Sequence, residues 1–232
     1  RVADAAGNLG PASVARSFTL DTTAPATTAA ITGVTDNSGI ITGNVAAAGR
    51  TNDTTPTITG TLSAALATGE TLRVFNGSSL LGAATVNNTT KTWTYTPTLP
   101  ATAGTTYNIT ARVADAAGNL GPASVARSFT LDTTAPATTA AITGVTDNSG
   151  IITGNVAAAG RTNDTTPTIT GTLSAALATG ETLRVFNGSS LLGAATVNNT
   201  TKTWTYTPTL PATAGTTYNI TARVADAAGN LG

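Results

Sequence analysis

The sequence predicts an all-β protein built as a row of small β-sandwiches, and three observations support this prediction. The first is a perfect tandem repeat, since residues 1–111 recur without a substitution as residues 112–222, and residues 223–232 begin a third copy. The second is composition: threonine makes up about a quarter of each repeat, and β-branched residues favour strands. The third is a series of short alternating apolar runs separated by glycine and proline, which is typical of a sandwich.

The period of the repeat sets the size of one folding unit. A period of 111 residues is long enough for a domain with its own core and too long for one coil of a solenoid, which has roughly 20 to 45 residues. We expect residues 1–20 to carry the last strand of a preceding repeat, residues 21–131 to form a complete repeat (repeat 1), and residues 132–232 to form a second one (repeat 2) that lacks its final strand.

The strands of repeat 1 can be followed in order. The first is predicted at residues 28–35, and a long connection, residues 36–56, leads to a second at residues 57–62, where threonine alternates with apolar or small residues. The third covers residues 70–75 and ends at an Asn76-Gly77 turn of the hairpin type.

The second half of the repeat continues the alternation. The chain returns through residues 80–86 to a polar turn, and three further strands follow. Their shared faces consist of Trp93, Tyr95 and Pro97, then Tyr107, Ile109, Ala111 and Val113, then Phe129 and Leu131. Seven or so short strands in about 100 residues indicate an immunoglobulin-like sandwich. The sole tryptophan of each repeat is expected to anchor its core, because its neighbours alternate with threonine.

Composition excludes several classes of function. The net charge is zero and only 9% of residues are charged, so no basic patch is available for nucleic acid or anionic membranes. No apolar run approaches the roughly 20 residues that cross a bilayer. Cysteine is absent, which leaves packing, hydrogen bonds and metal ions to stabilise the fold. This composition suits an extracellular protein of the bacterial cell surface.

The acidic residues are segregated from the predicted strands. Each repeat holds four aspartates, and all lie in connections. In repeat 1, Asp21 opens the linker Asp-Thr-Thr-Ala-Pro, Asp36 and Asp53 bracket the long connection, and Asp115 begins the loop Asp-Ala-Ala-Gly-Asn, residues 115–119. We call this loop and its copies the Asp-Asn loop.

Sandwich topology predicts that these loops meet between the repeats. If the first strand runs from the pole where the chain enters to the opposite pole, the long connection lies at the C-terminal pole and the Asp-Asn loop at the N-terminal pole. At the junction, Asp36 and Asp53 would then face Asp226 and Asn230, with Asp132 of the linker between them. Several carboxylates without a compensating Lys or Arg would repel each other, unless a hard cation binds them.

Calcium is the cation that such loops would suit. It takes six to eight oxygen ligands from carboxylates, amides and main-chain carbonyls, whereas magnesium prefers a stricter octahedron and retains water. Alternatively, Asp and Asn are turn residues that accept hydrogen bonds from nearby backbone amides. The local sequence leaves both interpretations open. The candidate ligands are Asp21, Asp36, Asp53, Asp115, Asn119, Asp132, Asp147, Asp164, Asp226 and Asn230.

Several phrases of the repeat resemble a known family. Asp-Thr-Thr-Ala-Pro, Val-Thr-Asp-Asn, Thr-Asn-Asp-Thr-Thr-Pro-Thr-Ile-Thr-Gly, Trp-Thr-Tyr-Thr-Pro and Ala-Asp-Ala-Ala-Gly-Asn are similar to the bacterial immunoglobulin-like (BIg) extender repeats of giant, calcium-dependent, type I-secreted (RTX-type) surface adhesins. The resemblance covers the whole of each repeat. It implies β-sandwich spacers that hold a distal binding domain away from the cell, with Ca²⁺ stiffening their junctions.

Three other functions agree less well with the sequence. An enzyme is disfavoured, because histidine and cysteine are absent and with them the usual general base and thiolate. A carboxylate pair could hydrolyse glycosides, but the only glutamate of each repeat, Glu70 in repeat 1, opens a strand. An ice- or surface-binding threonine array needs many aligned rungs, and a twisted sandwich offers few. A ligand- or glycan-binding adhesion domain is expected once, at a tip, rather than in verbatim copies.

The two ends of the chain also match each other. Residues 12–20, with Val14, Phe18 and Leu20, have the sequence of the strand that repeat 2 lacks after Gly232. A sandwich without an edge strand exposes unpaired backbone groups, and strand addition is a known mode of recognition. We expect this segment of one molecule to complete repeat 2 of another, head to tail, giving open filaments. In a longer continuous array the same contact would lie within one chain.

Overall fold

The structure is a computed structural model that describes all residues, 1–232. It contains 18 β-strands and no helix, and therefore no helix that could span a bilayer. The strands form two sandwiches in tandem, one in each repeat. The all-β prediction is confirmed.

Repeat 1 contains ten strand segments, and several are only two or three residues long. They are β1 (Ala29–Asp36), β2 (Gly43–Asn44), β3 (Arg50–Thr51), β4 (Thr57–Leu62), β5 (Thr71–Asn76), β6 (Ser79–Ala83), β7 (Thr85–Asn87), β8 (Thr92–Tyr95), β9 (Thr105–Ala114) and β10 (Arg127–Leu131). Repeat 2 contains eight, which are β11 (Ala140–Asp147), β12 (Gly154–Asn155), β13 (Thr168–Leu173), β14 (Thr182–Asn187), β15 (Ser190–Ala194), β16 (Thr196–Asn198), β17 (Thr203–Tyr206) and β18 (Ile220–Ala225).

The two sheets of repeat 1 have the orders β2-β1-β4-β8-β7 and β3-β10-β9-β5-β6. All neighbours are antiparallel except β3, which pairs in parallel with β10. The long connection therefore carries the chain from one sheet to the other, since β2 pairs with β1 before β3 joins the second sheet. This crossing places the connection at one pole of the sandwich.

The predicted strands correspond closely to the observed ones, with one exception. The second predicted strand has the bounds of β4, and the Asn76-Gly77 hairpin is present, with Asn76 paired to Ser79. The predicted strand at residues 80–86 is instead two strands, because β6 pairs with β5 while β7 pairs with β8 in the other sheet. The backbone N–H of Ala84 donates to the Leu72 carbonyl where the chain crosses between the sheets. The alternation of side chains therefore continues while the partner strand changes from β5 to β8.

The core of repeat 1 is centred on Trp93, as expected from its alternating neighbours. Its side chain is 1% exposed, and its Nε1 donates to the Thr61 carbonyl at 3.2 Å. Gly60 lies directly opposite in the register, where a Cβ would collide with the indole ring. Tyr107 and Phe129 stack beside it with ring centroids 5.5 Å apart. The indole thus fills space that only a glycine on β4 leaves open.

Repeat 2 repeats this arrangement in its first sheet, of order β12-β11-β13-β17-β16, while its second sheet contains β15-β14-β18. In this sheet β18 pairs with β14 alone. The N-terminal segment with the matching sequence forms no strand, and within the chain Val14, Phe18 and Leu20 are 94%, 90% and 81% exposed. Completion of repeat 2 by another molecule stays a prediction.

Candidate functional site at the repeat junction

The junction brings together the two loops that topology predicted to meet. Gly229, in the Asp-Asn loop of repeat 2, lies against the long connection of repeat 1. A Cβ on Gly229 would be 3.3 Å from the Cβ of Ile41 and 3.5 Å from Nδ2 of Asn52, and the Gly229 carbonyl oxygen would be 3.4 Å from a Cβ on Gly39. Residues from opposite poles of successive repeats therefore form one surface.

Asp132 of the linker is bonded to both repeats. Its backbone N–H donates to the Thr51 carbonyl at 2.8 Å, and its carboxylate accepts from Arg50 Nη1 at 2.8 Å. Its own carbonyl accepts from Nδ2 of Asn230 at 2.7 Å. The linker is thus held on one side by β3 and on the other by the Asp-Asn loop.

The Arg50–Asp132 ion pair corrects one expectation. We expected no basic side chain to compensate the junction carboxylates, but Arg50 does so for Asp132. The error came from β3, a two-residue strand that the sequence does not reveal. Because Thr51 pairs with Leu131, Arg50 lies beside the strand end and its guanidinium reaches the next residue along.

Asp36 and Asp53 accept hydrogen bonds within their own connection. The carboxylate of Asp36 accepts from the N–H of Ser38 at 2.8 Å and from Thr51 Oγ1 at 2.6 Å. Asp53 accepts from the N–H groups of Asn37 at 3.1 Å and Thr55 at 2.8 Å. Both residues are nearly buried, at 5% and 2% exposed. These contacts hold the two ends of the connection together, as expected for aspartates that serve as turn residues.

The counterparts in repeat 2 show that this burial does not depend on a neighbouring repeat. Asp147 and Asp164 are 7% and 5% exposed, and Asp147 accepts from Thr162 Oγ1 at 2.7 Å although no repeat covers this pole. Backbone hydrogen bonds, first from Asn148 and then from Thr166, lower the pKa of Asp164 below its ordinary value. The acceptor network therefore forms from the connection alone.

The Asp-Asn loop also has the same geometry wherever it occurs. Asp115 Oδ1 accepts from the N–H groups of Ala117 at 2.9 Å and Asn119 at 2.8 Å, while Oδ2 accepts from Asn119 Nδ2 at 2.8 Å. The copies that begin at Asp4 and Asp226 make the same bonds. The Asn119 side chain is the main cause that lowers the pKa of Asp115. Because the Asp4 copy has no surrounding repeat, the loop is shaped by its own five residues.

The asparagine of each loop holds the preceding linker. Nδ2 of Asn119 donates to the Asp21 carbonyl at 3.1 Å, as Asn230 does to Asp132. The carboxylate of Asp21 is exposed and accepts only from the nearby N–H of Thr23, at 3.0 Å. A linker is therefore attached to the repeat that follows it, whether or not a folded repeat precedes it.

The oxygen atoms at the junction determine whether it could hold the expected calcium ion. No group of three or more acidic side chains is close enough together to hold a metal ion. One oxygen at the junction lacks a partner, however: Oδ1 of Asn52 is buried without a hydrogen-bond donor, and such atoms call for a bound water or ion. A cation here would need amide and main-chain carbonyl oxygens besides carboxylates, which is a set that calcium accepts.

Two junction features were absent from the sequence-based prediction. Arg50 was one, and the pair Ile40 and Ile41 was the other. Both isoleucines are partly buried, and Ile41 lies against Gly229. A signal was present, since two adjacent isoleucines are unusual in a connection of Asp, Asn, Ser and Gly.

One open groove lies away from the junction. An open groove of about 480 Å³ lies on β16 and β17, and its lining consists of threonine, asparagine, Val197 and Trp204. It contains no ionisable side chain, so general acid–base chemistry has no group to use there.

Comparison with known proteins identifies the repeats. A family model described as bacterial Ig-like domain matches residues 27–133 and 139–232, whereas no curated protein matches the chain. Similar solved structures include the fibronectin(III)-like modules of Clostridium thermocellum CbhA, with 16% identity over 81% of this chain and 85% of that one and a TM-score of 0.42. Another is the Streptomyces avermitilis α-L-rhamnosidase complexed with L-rhamnose, with 13% identity over 84% of this chain and 23% of that one and a TM-score of 0.27.

Likeness at this level carries no argument about function, so the family model alone decides the assignment. It covers most of both repeats. The chain therefore belongs to the bacterial Ig-like domain family.

Proposed function

We propose that this chain is a spacer segment of a bacterial surface adhesin, which holds a distal binding domain away from the cell. The observation that carries the proposal is the junction: Asp132 is bonded to Thr51 and Arg50 on one side and to Asn230 on the other. A linker fixed in this way sets the direction of the next repeat, whereas an unattached linker would act as a hinge. Domains of this family are commonly found at the cell surface, which agrees with the proposal.

Identical repeats suit a function that depends on length. Each sandwich adds about 40 Å, from strands of about nine residues at 3.3 Å per residue and the loops at both poles. Duplication of a repeat lengthens such an array without a new binding surface. Catalysis finds no support in a chain without histidine or cysteine.

Small-angle X-ray scattering on arrays of two, four and six repeats tests the spacer function. The maximum dimension of a stiff array grows by about 40 Å per repeat. The dimension of repeats joined by flexible linkers grows roughly with the square root of the number of repeats. The control is the same series with a Gly-Ser insertion after Thr134, which separates Asp132 from the following repeat. Indistinguishable dimensions for the two series would contradict a stiffened spacer.

We further propose that calcium stiffens the junction. The supporting observations are the unpartnered Oδ1 of Asn52, the adjacent Gly229 carbonyl, and the carboxylates of Asp132 and Asp226 on the two sides. These residues would hold the ion, which would supply a positive charge attracting oxygens of both repeats. Arg50 would then share Asp132 with the ion.

Calcium removal is the direct test. With a dissociation constant of about 0.1 mM, as in extracellular modules, about 1 mM calcium would stabilise the junction by about 1.4 kcal/mol. EDTA should therefore lower the melting temperature and broaden the distribution of inter-repeat angles. Asn52→Ala should abolish this response, whereas Asn163→Ala, the same change in the uncovered connection of repeat 2, should not. Equal melting and scattering curves with EDTA and with calcium would contradict the calcium proposal. The junction would then be held by the contacts of Arg50 and Asn230 without an ion.

A further inference from the structure

Each repeat carries two arginines directly opposite each other on neighbouring strands of its second sheet, which we call the arginine pair. Arg73 on β5 is paired with Arg112 on β9, and Arg184 on β14 is paired with Arg223 on β18. Residues opposite each other on an antiparallel ladder share one face of the sheet, with Cβ atoms about 4.5–5.5 Å apart. Two positive charges therefore lie side by side, which by itself destabilises the sheet.

No acidic side chain neutralises either arginine pair. The only ion pair of the chain joins Arg50 to Asp132, so no carboxylate oxygen lies within 4.0 Å of a guanidinium nitrogen of an arginine pair. The pair of repeat 1 belongs to a five-stranded sheet, and the pair of repeat 2 follows a folded repeat, yet neither contacts a carboxylate. The unpaired charge is thus a consequence of strand register and recurs with the repeat.

The hydrogen bonds of the arginine pair leave most of its donors free. In repeat 1, Nε of Arg112 donates to the Gly121 carbonyl at 2.8 Å and Nη2 to the carbonyl before it at 3.4 Å. The side chain of Arg73 takes part in neither an ion pair nor a hydrogen bond with the chain. Its counterpart Arg184 donates once, from Nε to Thr182 Oγ1 at 3.2 Å. Because a guanidinium has five N–H donors in a planar fork, the two side chains together can bind one anion.

The surroundings of the arginine pair indicate which kind of anion fits. The further residues on this face of β9 and β10 are uncharged and polar: Thr106, Asn108, Thr110, Ser128 and Thr130. Their hydroxyl and amide groups can form hydrogen bonds with a ligand that is itself rich in hydroxyls. Duplex nucleic acid fits less well, because it carries one charge per 1.7 Å and the chain offers one arginine pair per repeat of about 40 Å. An acidic polysaccharide combines sparse negative charge with many hydroxyls.

We infer that the arginine pair of each repeat binds a carboxylate or sulfate group of an acidic polysaccharide, so that the array holds the polymer along its length. One pair binds weakly, because it is solvated and screened by salt. Pairs on successive repeats contact the same long polymer, and each further contact then forms at a high effective concentration. Verbatim repetition suits a contact that depends on number. The inference goes beyond the spacer function and requires neither calcium nor a stiff junction.

Binding of the 232-residue chain to immobilised polygalacturonate tests the inference, with biolayer interferometry in EDTA at about 20 mM salt. EDTA prevents calcium from bridging the polymer and the protein. We expect saturable binding that is lost at about 500 mM salt and is weaker for a short oligogalacturonate than for the polymer. Neutral dextran should not bind. Binding to polygalacturonate or to dextran sulfate agrees with the inference, and the tighter of the two identifies the acidic group.

A charge-matched pair of variants locates the site. Arg73→Gln/Arg184→Gln removes one arginine of each pair and should raise the dissociation constant about tenfold or more, because a charge-assisted hydrogen bond is lost. An unchanged melting temperature would verify that the fold is kept. The control Lys91→Gln/Lys202→Gln removes the same charge from exposed turns of the first sheets and should leave binding nearly unchanged.

Three results would each overturn the inference: no binding at low salt, equal binding by the arginine variant and the wild type, and an equal loss in the lysine variant. Tighter binding to duplex DNA than to both acidic polysaccharides would overturn it as well, because the class of ligand would be wrong. The scattering of linked arrays and the melting curves with EDTA are measured without any polymer. They therefore judge the spacer and calcium proposals independently of this one.

Discussion

Residues 21–121 and 132–232 have the same sequence and differ only in their surroundings, so differences between them show what the surroundings contribute. Trp93 and Trp204 are both 1% exposed, and the aspartates of the long connections make the same hydrogen bonds in both repeats. The buried apolar cluster, in contrast, has 15 residues in repeat 1 and 6 in repeat 2. The first sheet and the loops have the same form in both repeats, whereas the larger core of repeat 1 also includes the last strand, β10.

The difference between the two cores coincides with the strand β10, which is present in repeat 1. In repeat 1, β10 pairs along β9, and Tyr107, Ile109 and Ala111 are buried. In repeat 2 the strand that corresponds to β9 begins only at Ile220, and Tyr218 and Ile220 are partly exposed. An edge strand thus adds its own apolar side chains and also extends the strand beside it.

The largest expected effect is the destabilisation of one core, with the other unchanged, when its tryptophan is removed. Trp93→Ala should destabilise repeat 1 by about 3–5 kcal/mol, because it empties the space opposite Gly60. Repeat 2 should unfold as before, with the fluorescence of Trp204 as its reporter and calorimetry as the global measurement. The matched variant Trp204→Ala should affect only repeat 2. Loss of both transitions in either variant would mean that the repeats are not independent folding units.

Supplying the absent strand should make the two repeats alike. Adding residues 122–131 after Gly232 allows Phe and Leu to cover the exposed side of the core, which should stabilise repeat 2 by about 2–4 kcal/mol after the cost of ordering the strand. Its melting temperature should approach that of repeat 1. The control extension carries Ser in place of that Phe and Leu. An unchanged transition with the native extension would show that β10 is not what distinguishes the two cores.

Removal of the linker carboxylate should loosen the junction and leave both cores intact. Asp132→Ala loses the pair with Arg50 but keeps the Asp132 carbonyl bonded to Asn230, and a pair at such an exposed site contributes about 0.2–1 kcal/mol. Arg50→Gln should have the same effect, and salt should weaken the wild-type junction similarly. Residual dipolar couplings would measure the inter-repeat angle. Asp21→Ala, which removes no ion pair, is the control; an equal loosening there would contradict the role of Arg50.

The smallest expected effect is a local response to acid. Because the hydrogen bond from Asn119 lowers the pKa of Asp115, the loop gains stability above the unfolded pKa of about 3.8 and loses it as the pH falls through the lower folded pKa. The protection factors of the amides of Ala117 and Asn119 against hydrogen exchange should fall over that window and stay constant above it. Asn119→Ala should raise the pKa of Asp115 in a carboxyl NMR titration. An unchanged pKa in this variant would assign the shift to the backbone amides.

Most strands could be predicted from the sequence, because alternation is a local property. The bounds of β4 and the hairpin at Asn76-Gly77 follow from residues within a few positions of each other. The short strand β3 could not be found, since two residues carry no periodicity and its partner β10 lies about 80 residues later. The split of β6 and β7 was missed for a related reason: alternation specifies which face a side chain takes but not which sheet the strand joins.

The candidate site likewise has some features that the sequence predicted and others that it did not. The pole assignment was enough to bring the long connection of one repeat to the Asp-Asn loop of the next, because strand order alone decides which loops share a pole. It could not tell that Asp36 and Asp53 would accept hydrogen bonds within their own connection. Nor could it find Arg50, whose partner Asp132 lies 82 residues later, or the isoleucine pair, which is partly buried where the following repeat packs. Binding of calcium by these residues stays a prediction.

By itself the sequence determined the repeat, the all-β class, the tryptophan core and the shape of the aspartate loops. Each of these depends on residues close together in the chain, or on an apolar period that a strand must bury. Only the tertiary structure decided how the core closes and which groups join the repeats. The Arg50–Asp132 and Asn230–Asp132 contacts span 82 and 98 residues, and no local pattern encodes them. They arise because the sandwich brings the two ends of its chain to opposite poles, so that each junction is assembled from residues of both neighbours.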